Sequence, residues 1–218
     1  MKRGFFITFE GPEGSGKSTH IALLARHLRE RGYPVLLTRE PGGTPLGERL
    51  RRFLLHTSRP VEPLAELLLY EAERAQHAAV LRPALRAGKV VLCDRYTDST
   101  AAYQGFGRRL DVAMIQKLNA IASQGLAPAL TLLLDVEASR GLKQAAAKKS
   151  GPDRLEAAGL AFHRRVRKGF LALARKEPKR FRIVKQQADV DQTQRKIRQH
   201  VDQFLNDKNA RVKGGREL

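Results

Sequence analysis

The sequence is short of cysteine, of acidic residues and of long apolar runs, and each shortage removes a class of protein. One cysteine, Cys93, among 218 residues leaves no internal disulfide and makes a reducing, cytoplasmic compartment the default expectation. No stretch approaches the ~18 consecutive apolar residues of a membrane span, and the apolar run Phe5–Phe9 is too short for a secretory signal. Asp and Glu number 22 against 41 Lys and Arg, a formal net charge of +19. From Gly141 onward 21 Lys/Arg face 8 Asp/Glu, whereas the first 140 residues hold 20 against 14. A basic surface of this kind attracts polyphosphates, nucleic acid or anionic lipid; its plain reading is a solvated, charge-rich helical face. No RNA-recognition, zinc-finger or basic-zipper pattern accompanies it. The histidines (His20, His27, His56, His77, His163 and His200) are scattered rather than set at metal-ligand spacing, which predicts surface positions or packing beside the core.

What is present is an alternation of short β-rich runs with longer helical patterns, the pattern of a parallel α/β sheet. Strands are expected at Phe5–Phe9, Val35–Thr38, Val90–Asp94, Leu130–Asp135 and Arg182–Val184. Helices are expected at about 17–31, where Ile21, Leu24, Ala25 and Leu28 repeat at helical spacing. Others follow at 46–55, 63–87, 111–123, 153–175 and 190–205. Pro63 suits a first helical turn, and Pro83 should kink or end its helix early. The stretch from Glu137 to Ser150 is polar and helix-prone, and residues 206–218 read as a frayed tail. No repeat, linker or low-complexity tract divides the chain, so residues 1–218 are expected to form one domain large enough for its own core.

Between the first strand and first helix lies Gly11-Pro12-Glu13-Gly14-Ser15-Gly16-Lys17-Ser18, a full match to G-x-x-x-x-G-K-[ST]. The glycines let consecutive backbone N–H groups curl inward around a phosphate chain, and the helix that follows adds its positive end. Lys17 should reach the β- and γ-phosphates and Ser18 should ligate Mg²⁺, with Thr19 beside it. Val90-Val91-Leu92-Cys93-Asp94 is an apolar strand ending in an acid, as expected for a residue near that metal. Arg95 follows, where an ATPase motor would more often place a second acid. No Asn-Lys-x-Asp guanine reader is present. An arginine there suits a second phosphate group facing the first. Cys93 reads as a small core residue.

Four further segments then fall into a known order: Thr38-Arg39-Glu40-Pro41-Gly42-Gly43-Thr44-Pro45-Leu46-Gly47-Glu48; Glu66-Leu67-Leu68-Leu69-Tyr70 with Arg74-Ala75-Gln76-His77; Asp94-Arg95-Tyr96-Thr97-Asp98-Ser99-Thr100; and Ala102-Tyr103-Gln104-Gly105-Phe106-Gly107-Arg108. With the phosphate loop they resemble bacterial thymidylate kinases over roughly Phe5 to Leu110, and more weakly through Leu132–Asp135 and Asp153–Leu173. The resemblance implies a P-loop NTPase fold: a five-stranded parallel sheet, helices on both faces and a mobile lid at about 137–154. It implies phosphorylation of dTMP to dTDP with Mg-ATP, by an enzyme that is commonly a homodimer.

Carried over residue by residue, the resemblance implies that Tyr70 stacks on the thymine ring and Arg74 donates to its carbonyl oxygen. Ser99, Thr100 and Gln104 complete the dTMP pocket, with Thr100 and Gln104 at the base's 3-imino edge. Tyr103 lies where a ribose 2′-hydroxyl would project, Glu13 meets the 3′-hydroxyl, and Pro41 lines the nucleoside pocket. Arg39 and Arg95 grip the acceptor phosphate. Lys17, Arg95, Arg39, Glu13 and Arg154 form the catalytic set, and Ser18 and Asp94 hold the metal. The lid departs from the pattern. Relatives whose phosphate loop lacks an arginine usually place several in the lid, but here Lys143-Gln144-Ala145-Ala146-Ala147-Lys148-Lys149 carries lysines, leaving only Arg140 and Arg154. Lysine supplies charge without a planar two-point grip. Ile183-Val184-Lys185-Gln186-Gln187 also lacks the usual acid near the adenine site. The charge and the depleted lid together support a second reading, a nucleotide-dependent nucleic-acid-binding protein with weak or no kinase activity.

Overall fold

The computed structural model describes residues 4–147, 151, 153–187 and 189–214. Its frame is a parallel sheet of five strands, β1 (Phe5–Glu10), β2 (Val35–Arg39), β3 (Val90–Asp94), β4 (Leu130–Asp135) and β5 (Phe181–Lys185), in the order β2-β3-β1-β4-β5. The central strands are buried on both faces, which is why they read as continuous apolar runs rather than alternations. One face is covered by α1 (Lys17–Glu30) and α8 (Val190–Gly214). There Ile21, Leu24, Leu28, Ile197, Val201 and Leu205 pack on Ile7, Phe9, Leu92, Leu132 and Leu134. The other face carries α2 (Pro45–His56), α3 (Pro63–Arg86), α5 (Val112–Ala122) and α7 (Leu160–Lys176). A short α6 (Ala138–Ala146) follows β4.

The register brings the carboxyl ends of β1, β2 and β3 together: Phe9 and Arg39 both pair with Asp94. The sequence therefore delivers its phosphate loop, its Arg39-Glu40-Pro41 turn and its Asp94-Arg95 turn to one rim. In open α/β sheets that rim, where strand order reverses, is where ligands bind.

Three expectations are corrected, and one stretch left without an expectation is assigned. The helix α3 runs through Pro83 to Arg86; the proline gives up the one amide bond back to Ala79, and only a single turn follows it. The helix expected from Asp153 begins instead at Leu160. Asp153 accepts from the Leu155 and Glu156 amides, closing a tight turn, and Gly159 at φ 81° separates that turn from α7. The last helix continues past Leu205 to Gly214, so residues 206–214 are helical rather than frayed. Finally, the stretch after Tyr96 is helical, as α4 (Thr97–Thr100) running into a π-wound segment Ala101–Gly107. Its widened turn shows in the bond from the Arg108 amide to the Tyr103 carbonyl at 2.8 Å, five residues back. A Cβ on Gly107 would lie 2.6 Å from the Phe162 ring, so the glycine that discourages a helix reading in the sequence is what lets α7 approach. Of the lid residues, Lys148 and Lys149 lie outside the described residues, as do 215–218 of the tail.

Candidate active site

The phosphate loop leaves β1 at Gly11 and enters α1 at Lys17. Lys17 Nζ is curled back over the loop, donating to the Gly11 and Pro12 carbonyls at 2.9 Å each and to Ser15 Oγ at 3.3 Å. Burial, then the nearby Arg95 charge, depress its pKa to about 8. Ser18 Oγ donates to Asp94 Oδ2 at 3.1 Å, and Asp94 Oδ1 is buried with no hydrogen-bond partner among the described residues. A hydroxyl and an under-used carboxylate are hard oxygen donors, the few protein ligands that Mg²⁺ takes when waters and phosphates supply the rest. The pair fits such an ion. Above the loop, α6 comes so close that a Cβ on Gly14 would lie 1.9 Å from the Gly141 carbonyl; only glycine permits that contact.

A cavity of about 670 Å³ runs from this loop to Tyr70. At its waist Glu13 Oε1 accepts from Arg95 Nη2 at 2.7 Å and from the Tyr103 hydroxyl at 2.8 Å. Burial alone would raise the Glu13 carboxyl. Arg95, then Lys17 and Tyr103, outweigh it and hold the pKa at about 2. Arg95 has a left-handed backbone, φ 70°, an uncommon state for a residue with a side chain. Neighbouring bonds hold it there: its own amide donates to Phe9, the Tyr96 amide to Glu10 Oε1 at 2.8 Å, and Ser99 Oγ to Glu10 Oε2 at 2.5 Å. Its guanidinium also donates to Gly11 O and Ser99 Oγ at 3.2 Å and lies 4.8 Å from the Tyr103 ring centre. Glu10, buried and beside Asp98, has its pKa pushed up to about 8.

At the far end stand Tyr70, Arg74, Thr100 and Gln104, all buried and all lining the cavity. Arg74 donates to Glu40 Oε2 (2.9 Å), Glu71 Oε2 (2.8 Å), Asn119 Oδ1 (2.7 Å) and Thr100 Oγ1 (2.8 Å). Four of its five N–H groups are thus bound internally, leaving one Nη2 hydrogen for the cavity. His77, fully buried, bridges Thr38 Oγ1 (2.7 Å) and Glu40 Oε1 (2.9 Å), so it belongs to this network rather than to a surface. Gln104 Nε2 donates to Glu66 Oε1 at 2.7 Å.

The structure brings most of the sequence-predicted residues to this cleft; Gly11 and Pro12 shape the loop through their carbonyls without lining the cavity, and Arg154 lies apart. Gly14, Ser15, Gly16, Ser18, Thr19, Arg39, Pro41 and Ser99 line the cavity with those above, and Arg39 pairs with Glu48 at 3.0 Å. Arg154 does not reach the phosphate loop. Its Nε donates to the Leu54 carbonyl at 2.8 Å and its Nη2 lies 2.6 Å from Glu66 Oε2. Sequence reading missed Arg51, which lines the same cavity and donates to the Pro41 carbonyl at 2.9 Å. Its pKa is lowered by burial, then by Arg39 and Arg95, so three guanidinium groups crowd one place, the arrangement of an anion site. Nothing in the run Arg49-Leu50-Arg51-Arg52 separates Arg51 from its neighbours; the fold alone selects it.

A parallel sheet in this order, with a phosphate loop after its central strand and arginines facing that loop across a cleft, defines a phosphotransferase of the P-loop NTPase fold. Comparison with known proteins narrows the class. The family model for thymidylate kinase matches residues 9–197. The thymidylate kinase of Deinococcus radiodurans is 55% identical over 185 residues, 84% of this chain and 89% of that protein. The thymidylate kinase of Gloeobacter violaceus is 51% identical over 209 residues, 95% and 99% respectively. A crystal structure of thymidylate kinase from Ehrlichia chaffeensis is 35% identical, with a TM-score of 0.75, and the match covers 92% of this chain and 99% of that one. The chain belongs to the thymidylate kinase family.

Proposed function

We propose that this enzyme transfers the γ-phosphoryl group of ATP to dTMP, giving dTDP and ADP. The observation that carries the reading is Glu13: an acid inside a phosphate loop, held ionised by Arg95 and Tyr103 in a cavity whose lining continues past the loop to Tyr70, Arg74 and Gln104. An anion there is unfavourable for ATP unless it meets a hydroxyl, and the 3′-hydroxyl of a second nucleotide provides one.

In this reading ATP phosphates lie on the amides of Gly11 to Thr19, and Lys17 leaves its loop carbonyls for the β- and γ-phosphates. Ser18 and Asp94 would hold Mg²⁺, which would neutralise charge on the donor phosphates. Arg39, Arg51 and Arg95 orient the acceptor phosphate, already ionised near neutral pH, so no strong general base is required. One of its oxygens attacks the γ-phosphorus in line as the bond to the bridging oxygen of ADP breaks. The loop amides and Arg95, held in place before the substrates arrive, and Lys17, once it has turned to the phosphates, stabilise charge on the moving group. Tyr70 stacks on thymine, while Arg74, Thr100 and Gln104 face its polar edge. Tyr103 stands against the sugar, excluding a 2′-hydroxyl.

The segment 137–154 acts as the lid that keeps water from the γ-phosphate, with Arg140 and Arg154 its candidate cations; Arg154 must leave Glu66 to act there. The chain works as one domain and as a homodimer. The half-exposed Leu64 and Leu68 on α3 and Phe53 on α2, a helix packed against it, support an apolar contact between copies. Among the described residues no helix is long and apolar enough to cross a membrane. The substrates, with one reduced buried cysteine, favour a cytoplasmic location.

The test is ADP release with Mg-ATP and dTMP, dUMP, CMP, GMP or AMP as acceptor. A strong preference for dTMP is expected. ATP binding without acceptor-dependent turnover would overturn the reading.

A further inference from the structure

The phosphate cleft leaves most of the chain's positive charge unused, and α7 concentrates it. Leu160–Lys176 contains Arg164, Arg165, Arg167, Lys168, Arg175 and Lys176 and no acidic residue. Two of these have internal work: Arg165 donates to the Gly107 carbonyl, and Arg167 binds Asp135 through two bonds, at 2.7 and 2.9 Å. Arg164, Lys168, Arg175 and Lys176 are exposed, and none lies within ion-pairing distance of a described acid. Like charges along one helix repel; Arg164 is offset in part by the Glu137 carboxylate, and Arg175 and Lys176 lie in the last turn, where cations are favoured. These local terms account for part of the charge but not for its alignment along one face of the helix.

Their placement indicates what they meet. Arg164, Arg167, Lys168, Leu171 and Arg175 recur at intervals of three and four, so they form one stripe on α7. With Glu137 and Ala138 they line a groove of about 320 Å³ that shares no residue with the active-site cavity. The stripe spans about 16 Å at 1.5 Å per residue. Cations strung along a line suit a run of phosphates better than one small anion, which needs donors converging on a point. The apolar face of α7 is already buried through Phe162, Val166, Phe170 and Leu173. A membrane-surface helix needs that face for lipid, so an anionic bilayer fits poorly. No aromatic ring lines the groove to stack a base. From this we infer that α7 carries a second, non-catalytic site that binds the phosphate backbone of duplex DNA without regard to sequence, through Arg164, Lys168 and Arg175.

The full chain is tested by fluorescence anisotropy on two 20-base-pair duplexes of unrelated sequence across a salt series. Both should bind alike, with log affinity falling linearly against log salt. R164Q/K168Q/R175Q should weaken binding about tenfold or more and reduce the salt slope by about 2.7, at ~0.9 per phosphate contact. Its kinase turnover should equal that of the parent, which also reports that it is folded. R29Q/R86Q/K89Q removes the same charge from exposed positions on α1, at the end of α3 and just before β3 and should leave binding nearly intact. Equal loss in both triple variants would mean net charge alone and would overturn the site, as would no duplex binding at 50 mM salt. Association with anionic vesicles stronger than with duplex would overturn the choice of partner.

Discussion

Tyr103 donates its hydroxyl to the same Glu13 oxygen that Arg95 binds, at 2.8 Å, so one carboxylate joins the π-wound segment to the phosphate loop. The bond is charge-assisted, and removing it should cost about 1.5–3 kcal/mol where it is used. Tyr103→Phe is expected to lower kcat/KM for dTMP by roughly tenfold or more while keeping selectivity against the ribonucleotide, because the ring remains. Tyr103→Ala should lose that selectivity as well. Steady-state kinetics with the deoxy and ribo forms of one acceptor separate the two effects; unchanged selectivity in the alanine variant would remove Tyr103 from sugar recognition.

Arg74 is 1% exposed and neutralises two buried carboxylates, Glu40 and Glu71. Truncation leaves both without their shared cation. Breaking a buried pair in this way costs about 3–5 kcal/mol. Arg74→Ala should therefore lower Tm by on the order of 10 °C, beyond any effect on dTMP. Calorimetry without substrate is the check, and a shift of only a degree or two would mean that water had replaced the guanidinium.

Glu73 gives the fold a pH dependence of known sign. Burial, then the neighbouring Glu40 charge, push its pKa up to about 9 from 4.5. Between those values the folded state holds a proton that the unfolded chain releases, so the contribution to stability is complete below pH 4.5 and declines as pH rises toward 9. Glu73→Gln keeps an acceptor for the Gly42 amide, which bonds Glu73 at 3.0 Å, and cannot ionise. It should be more stable than the parent at pH 8, with the gap closing by pH 5. Denaturant unfolding at both values tests this; parallel curves would contradict it.

Lys17 should set the alkaline limb of activity. With its pKa at about 8 in the free enzyme, kcat/KM for ATP is expected to fall above that pH, since this ratio reports the free enzyme's groups. Glu13, at about 2, should add no acidic limb down to pH 5. A limb displaced to pH 10 would show that Lys17 is solvated before ATP arrives.

Much of this was legible in the chain because it rests on local physics. Gly11 to Ser18 specifies a phosphate loop by its own residue types, since glycines must curl it and a lysine must follow. Five apolar runs separated by helical patterns specify a parallel sheet, and apolar Val90–Cys93 before Asp94 specifies a strand that delivers an acid. The segment Ala101–Gly107 was not legible, because its helix depends on α7 closing against Gly107. Neither was Arg51, which its neighbours Arg49 and Arg52 resemble, nor the burial of His77 between Thr38 and Glu40, which are distant in the chain. What only the tertiary structure decided is proximity. Strand order sets Asp94 beside Ser18, Tyr103 beside Glu13, and Glu40 with Asn119 around Arg74. It also left Arg154 on Glu66, away from the phosphate loop. Local residue types fix what a segment is able to become. Which buried charges meet depends on contacts between residues tens of positions apart, and no local pattern carries that information.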